Sequence, residues 1–287
     1  MRGRAQARYL SAILEPKIAA AERLSSPCRT CERGCGAERA SGKKGMCGVL
    51  EPRVSSEFLH FGEEPELVPS HTVFFSGCTF KCVFCQNWDI SQSPEAGESV
   101  PPEVLAGIIE KRGGINVNWV GGDPTPNLHY ILQVMEAMKE LKLNIAQVWN
   151  SNMYLSAEAM GILDGVIDMY LSDFKYGNDR CAKSLSKVDN YWEVTTRNHK
   201  LAVGQCAVLL RHLVLPGHID CCTKPVMDWV AANLDHEKLR VNVMDQYHPD
   251  HLVLRDGKGY GELGRRLRPA EFLEAFEYAR KLGLDLV

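Results

Sequence analysis

The stretch Ser76-Gly77-Cys78-Thr79-Phe80-Lys81-Cys82-Val83-Phe84-Cys85-Gln86-Asn87 places three thiols within eight residues, directly after the apolar run Thr72–Phe75. Three cysteines on one short loop can ligate three corners of a cubane 4Fe–4S cluster and leave the fourth iron open to a ligand that is not protein. An all-cysteine structural zinc site needs four ligands, and no fourth thiol lies nearby in sequence. A redox dithiol made of Cys82 and Cys85 leaves Cys78 without a role, and a preceding strand and loop is the wrong context for it.

Around this loop the chain alternates short apolar runs with amphipathic segments. Six runs read as strands: Thr72–Phe75, Ile115–Val120, Ile145–Trp149, Val166–Leu171, Cys206–Val214 and Leu239–Met244. They are β-branched or aromatic and are bounded by Gly, Pro, Asn or Asp. Helical patterns at Pro101–Arg112, Asn127–Leu141, Thr223–Leu234 and Pro269–Leu282 lie among them. Strands separated by helices make parallel βα units, because each crossover passes over a sheet face. The expected fold is α/β: a partial (βα)6 barrel, since six units are too few for the closed eight-unit form. The expected organisation is an N-terminal helical segment at 1–27, a cysteine-rich metal-binding knuckle at 28–60 and the partial barrel at 61–287. Polar tails follow the strands, and in parallel α/β folds such loops converge on the ligand-binding face. Turn formation alone explains one or two of these tails, but hardly all six.

With 45% hydrophobic and 24% charged residues in 287, the chain reads as globular rather than disordered. A formal net charge of -3 gives no basic excess to favour nucleic acid. No apolar run approaches a membrane span, and the basic N-terminus lacks the apolar centre of a secretory signal. Cytoplasmic residence is therefore expected. Seven of the 11 cysteines fall between Cys28 and Cys85, a bunching that suits metal in a reducing compartment better than disulfides.

The loop's spacing, three residues and then two with an aromatic just before the last cysteine, resembles the hallmark of the radical S-adenosylmethionine (SAM) enzymes. The preceding strand and the Gly121-Gly122-Asp123-Pro124 tail of the next strand strengthen that resemblance. It implies that Cys78, Cys82 and Cys85 hold a 4Fe–4S cluster whose unique iron chelates the amino and carboxylate groups of SAM. One electron then cleaves the sulfonium to methionine and a 5′-deoxyadenosyl radical that abstracts hydrogen. Phe84 would lie beside the adenine, with core packing as its plainer reading. Gly121 and Gly122 would let backbone approach the SAM amino group, and the side-chain role of Asp123 is less defined than this backbone role.

The chain resembles more closely the pyruvate formate-lyase activating enzyme group and its uncharacterised homologues. Matching segments include Cys-Gln-Asn-Trp-Asp-Ile-Ser at 85–91, Trp-Asn-Ser-Asn at 149–152, Tyr-Leu-Ser-Asp-Phe-Lys-Tyr at 170–176 and Met-Asp-Gln-Tyr-His-Pro at 244–249. By that resemblance Asn150, Ser151, Asp173 and Lys175 are SAM-side residues, while Arg211 and His248 reach SAM or the substrate. Asn150 stands where the activating enzymes carry an acid and Met153 where they carry glycine, so contacts that depend on that acid need not carry over. An exposed Asp173–Lys175 pair and an Arg211 covering a strand edge are the plainer alternatives.

Cys28, Cys31, Cys35 and Cys47 form a second thiol set among glycines, compatible with zinc or an auxiliary iron–sulfur cluster, or with free thiols. Cys181, Cys206, Cys221 and Cys222 read as structural or incidental. The resemblance implies a low-potential reductant such as flavodoxin or ferredoxin, and a protein or peptide substrate, with a glycine of a partner protein as the activating-enzyme reading. Radical modification of another peptide or a small molecule is the alternative within chemistry. A non-catalytic iron–sulfur or zinc electron carrier or scaffold is the alternative outside it.

Overall fold

The computed structural model describes residues 5–256 and 259–287. Residues 1–4 of the expected N-terminal segment, and 257–258 of the expected barrel range, lie outside the described residues. The strands are β1 (Val54–His60), β2 (Ser70–Phe75), β3 (Asn116–Gly121), β4 (Ala146–Ser151), β5 (Met169–Asp173), β6 (Ala207–Leu213) and β7 (Leu239–Met244). Across the seven-stranded sheet their order is the chain order, and the sheet does not close on itself. β1 pairs antiparallel with β2, whereas the β2–β3, β3–β4 and β6–β7 pairs are parallel. This is the expected partial α/β barrel with one antiparallel strand added in front, inside the stretch assigned to the cysteine-rich knuckle.

The helices are α1 (Glu15–Ser25), α2 (Trp88–Ser91), α3 (Pro102–Arg112), α4 (Leu128–Glu140), α5 (Ala157–Leu163), α6 (Asp179–Ser186), α7 (Tyr191–Gln205), α8 (Lys224–Asn233), α9 (His251–Arg255) and α10 (Pro269–Lys281). The chain divides into two compact units. One contains the residues up to Thr79, Asp89–Ser151 and Leu155–Tyr170; the other contains Phe80–Trp88, Asn152–Tyr154 and Leu171–Val287.

In the first unit α4 packs against α1 and α3 through its buried Ile131, Leu132, Met135 and Met138. Phe75 of β2 and Trp119 of β3 are wholly buried with their rings 6.2 Å apart. Truncating either to alanine would cost about 3–5 kcal/mol in cavity and transfer terms. Trp119 Nε1 donates to Gln147 Oε1 at 2.9 Å, and the backbone N–H groups of Gln147 and Arg8 both donate to the Asp168 carboxylate. That network satisfies polar groups which would otherwise penalise the core.

In the second unit α7 packs on α6 and β6, and α10 on α8 and β7. The buried face of α7 carries Thr195, Asn198 and His199 besides Tyr191, Val194 and Ala202. The outer edge of β7 is covered at Val241 by the chain end, where Val241 N–H donates to Asp285 O and Val287 N–H to Val241 O. Covering an edge removes a template for unwanted strand pairing.

Candidate active site

In the first unit the tails of β2 and β3 are tied together. Gly122 N–H donates to Phe75 O at 2.8 Å, and Asp123 N–H donates to Gly77 O at 3.1 Å. Gly121 has φ +118°, and a Cβ there would lie 2.1 Å from Phe75 N; one on Gly122 would lie 2.1 Å from Gly77 O. Both glycines are therefore required by backbone approach. The Asp123 carboxylate accepts from Thr125 N–H at 2.8 Å and from the Thr79 hydroxyl at 3.5 Å, so its side chain shapes the turn beside Cys78. Three buried polar atoms of this tail have no hydrogen-bond partner: Thr125 Oγ1 and both amide atoms of Asn127. Asn150 and Ser151, at the end of β4, are buried as well, and the neighbouring Trp149 Nε1 is buried without a partner. Orphaned groups of this kind in a native fold call for a ligand, ion or water.

The N-terminal cysteine segment lies against the start of the thiol loop. Arg33 Nε donates to Thr79 O at 2.9 Å, and a Cβ on Gly77 would strike Val49 and approach the Cys47 carbonyl. Within the segment, Cys28, Cys31 and Cys47 are buried and Cys35 is exposed. Arg39 reaches Cys28 Sγ at 3.1 Å and Cys47 Sγ at 3.6 Å. Burial pushes the thiols of Cys31 and Cys47 up, and the Arg39 cation partly offsets this at Cys47.

The second unit holds the other two loop thiols. Burial, together with the adjacent Cys85 thiol, pushes Cys82 up to about 12, while the Lys175 cation acts in the opposite direction. Lys81 N–H and Val83 N–H donate to the Ser186 and Leu185 carbonyls, fixing the loop on the end of α6. Ser186 Oγ lies 2.9 Å from Cys82 Sγ and 2.5 Å from the Tyr176 hydroxyl. A Cys82 thiolate could only accept, so Ser186 would donate to sulfur and take its own hydrogen bond from Tyr176. Phe84 is buried, with its ring 5.8 Å from Tyr247 in an edge-on arrangement. Asp173 and Lys175 form an ion pair, and both are partly shielded from solvent. That pair is therefore more than the exposed surface pair allowed by the sequence. Ser172 Oγ beside it is buried without a partner.

Arg211 sits within β6 opposite Asn242, and its carbonyl accepts from Phe174 N–H at 2.9 Å. His248 lies in the tail of β7, half-buried, with Nδ1 3.2 Å from Pro249 O. The structure thus brings Cys82, Cys85, Asp173 and Lys175 to one place. It sets Cys78 beside the Gly121–Asp123 turn.

Sequence reading missed Ser186, Tyr176, Thr125 and Asn127. Ser172 and Tyr176 stood in the segment quoted at 170–176 and Asn127 opened a helical pattern, but nothing in a sequence shows which polar side chain ends up buried, with or without a partner. Sequence reading left Cys181, Cys221 and Cys222 as structural or incidental, and the structure draws all three together. Cys206, at the end of α7, is outside that group.

Each unit by itself offers groups that suit the cluster and SAM implied by the loop. In the first, glycines clear backbone at the tail of β3 and buried polar atoms there have no protein partner. In the second, a hydroxyl bonds the sulfur of Cys82 and the buried Ser172 hydroxyl of β5 has none. No helix among the described residues is long and apolar enough to cross a membrane.

Residues 72–230 match the model of the radical SAM superfamily. A relative, the uncharacterized protein MJ0674 of Methanocaldococcus jannaschii, is 46% identical over 96% of this chain and 80% of its own length. Among solved structures, a radical SAM methyltransferase from Sphaerobacter thermophilus shares the fold with a TM-score of 0.53 at 14% identity, covering 78% of this chain and 67% of that one. SuiB of Streptococcus suis bound to S-adenosylmethionine matches with a TM-score of 0.51 at 16% identity over 73% of this chain; the match spans about half of SuiB, 47% of its length. At these identities the two structures speak for the fold alone, while the family match covers more than half of the chain and includes the whole thiol loop. The chain belongs to the radical SAM superfamily.

Proposed function

We propose that this chain is a radical SAM oxidoreductase that removes a hydrogen atom from a macromolecular substrate, with a glycine of a partner protein as the target. The observation that supports it most is the pairing of the three-thiol loop with the glycine turn fastened to its start by the Gly122–Phe75 and Asp123–Gly77 hydrogen bonds. Cys78, Cys82 and Cys85 would hold a 4Fe–4S cluster, and Gly121, Gly122 and the polar tails of β3 to β5 would hold SAM. When bound, this pair supplies one-electron reductive cleavage of a sulfonium and a hydrogen-abstracting radical.

The chain's own residues bind, orient and exclude water. Ser186 holds the Cys82 sulfur, and the backbone of Gly121 and Gly122 admits an ammonium group. The Asp173–Lys175 pair offers both signs of charge to a zwitterion, while Phe84 and Tyr247 give an apolar wall. Arg211 and His248 would position a flexible substrate loop, which must bring its hydrogen close to the reacting atoms. Electrons would come from flavodoxin or ferredoxin in a reducing cytoplasm. The four N-terminal cysteines would hold a separate structural metal, absent from a Cys31→Ser/Cys47→Ser double variant that still cleaves SAM.

The test is anaerobic reconstitution with iron, sulfide, SAM and dithionite. 5′-Deoxyadenosine is measured first, and a protein-centred radical on glycyl-radical enzymes of the same cell is then sought by electron paramagnetic resonance. No 5′-deoxyadenosine from protein carrying an intact cluster overturns the whole reading. SAM cleavage with alteration of a small molecule or a ribosomal peptide, and no partner radical, overturns only the activating role.

A further inference from the structure

The chain carries a third thiol group that the radical chemistry does not use. Cys181 lies in the first turn of α6, and Cys221 and Cys222 lie on a π-helical turn, Ile219–Thr223, that leads into α8. Their three sulfurs all lie within 4.8 Å of one another, with Cys181–Cys221 and Cys221–Cys222 each at 3.9 Å. Among the described residues this is the one group of three Cys, His, Asp or Glu side chains packed so closely. Zinc–sulfur bonds of about 2.3 Å at tetrahedral angles set thiolates about 3.8 Å apart. The two 3.9 Å spacings suit ligands around one soft cation, and they are far too long for a disulfide, whose sulfurs are about 2 Å apart.

The surrounding backbone holds this arrangement. Asn178 Oδ1 accepts from Cys181 N–H at 2.8 Å, while its Nδ2 donates to Cys221 O at 2.7 Å, so one side chain clamps both segments. A Cβ on Gly177 would come within 2.7 Å of Cys221 O and 2.9 Å of the Cys222 backbone, so glycine is what lets the two segments approach. The π-helical turn is closed by Cys222 N–H and Thr223 N–H, which share the His218 carbonyl. Such turns are rare and concentrate at functional positions. Cys181 and Cys222 are buried and Cys221 is half-buried, which gives a shielded site with one side open to solvent.

We propose that Cys181, Cys221 and Cys222 form a three-thiolate zinc site whose fourth coordination position is left to water or a small exogenous ligand. Three soft thiolates select zinc over the hard cations. The metal ties α6 to the turn before α8. Because Ser186 ends α6, the site also fixes the helix that presents a hydroxyl to Cys82. The site does not rest on the proposed hydrogen abstraction and stands or falls separately from it.

The test uses the full chain, reconstituted anaerobically with its cluster and then titrated with zinc ions. Peptide mass spectrometry after iodoacetamide treatment should show the half-buried Cys221 protected by zinc and alkylated without it, while the buried Cys181 and Cys222 react slowly in both cases. Cobalt(II) in place of zinc should give thiolate-to-metal charge-transfer bands. Read in the Cys31→Ser/Cys47→Ser variant, where the N-terminal cysteines contribute none, those bands should be present, weaken on adding Cys221→His, disappear on adding Cys181→Ser and persist on adding Cys206→Ser. Equal alkylation of Cys221 with and without zinc in the unmodified chain overturns the proposal, whatever the variants do. So does a Cys181–Cys221 disulfide in protein kept anaerobic throughout.

Discussion

Two of the thiol groups in this chain, each of three cysteines, are assembled in opposite ways. Cys78, Cys82 and Cys85 are neighbours in sequence, set on one loop by short spacings. Cys181 and Cys221 are 40 residues apart and meet because Asn178 and Gly177 bring a helix start onto a π-helical turn. The first arrangement survives as a linear motif even before folding. The second exists only in the folded state, so its chemistry is coupled to stability in a way the first is not.

The sharpest break between them should come from single substitutions. Cys82→Ala is expected to abolish reductive SAM cleavage, a loss of at least about a thousandfold, while circular dichroism stays unchanged. Cys78→Ala and Cys85→Ala should match it, and normal 5′-deoxyadenosine from the triple variant would remove the loop from the chemistry. Gly121→Ala should act on folding instead. Its Cβ would lie 2.1 Å from Phe75 N, and at least about 3 kcal/mol of destabilisation is expected in urea melts. A melt that matches the unmodified chain would show that the β2–β3 tail can move apart.

Acid should separate the two regions next. His199 stacks on the Phe174 ring at 4.7 Å, and His212 Nδ1 lies 2.7 Å from the Phe174 carbonyl. Burial lowers both imidazoles to about 4. An unfolded histidine titrates near 6.5, so between about pH 6.5 and pH 4 the unfolded chain binds more protons than the native one. Stability is full above that window and falls as the pH drops through it, by on the order of 3 kcal/mol for each ring by pH 4. Chemical denaturation at pH 7, 5.5 and 4.5 should show the decline. His199→Gln should remove about half of the slope that these two rings contribute, and a flat profile would show that burial does not hinder protonation of either ring in the native chain.

The smallest effect is expected at Ser186. Losing the hydroxyl beside Cys82 should lower the cluster's reduction potential and slow SAM cleavage about tenfold, with Ser186→Thr restoring both. A potential unchanged in Ser186→Ala would reduce the contact to packing.

The same contrast explains what could be read before folding. Six strands were legible to within a few residues because β-branched runs end at Gly, Asn or Asp. β1 was not, because Ser55, Ser56 and Glu57 dilute its apolar content and its side chains are only intermittently buried. The longest helix, α7, was missed for a different reason: its buried face includes Thr195, Asn198 and His199, so hydrophobic periodicity is hidden by polar residues that find partners inside. At the site, the loop thiols and the glycine turn were visible as patterns. Ser186 was not, since a serine at a helix end carries no sign of the sulfur it will meet.

The division into two compact units carries a further consequence for how the protein can be made. The chain passes between them after residues 79, 88, 151, 154 and 170, and the first of these passages falls inside the thiol loop. No single cut releases either unit whole, so limited proteolysis or split expression should yield fragments that each lack part of their own fold. During synthesis Cys78 belongs to a unit that is incomplete until residue 170 has emerged, and Cys82 and Cys85 to one whose larger part, from residue 171 on, is still to come at that point. A cluster held by all three loop thiols would therefore form only after both units have gathered their parts, and not as the loop itself is made.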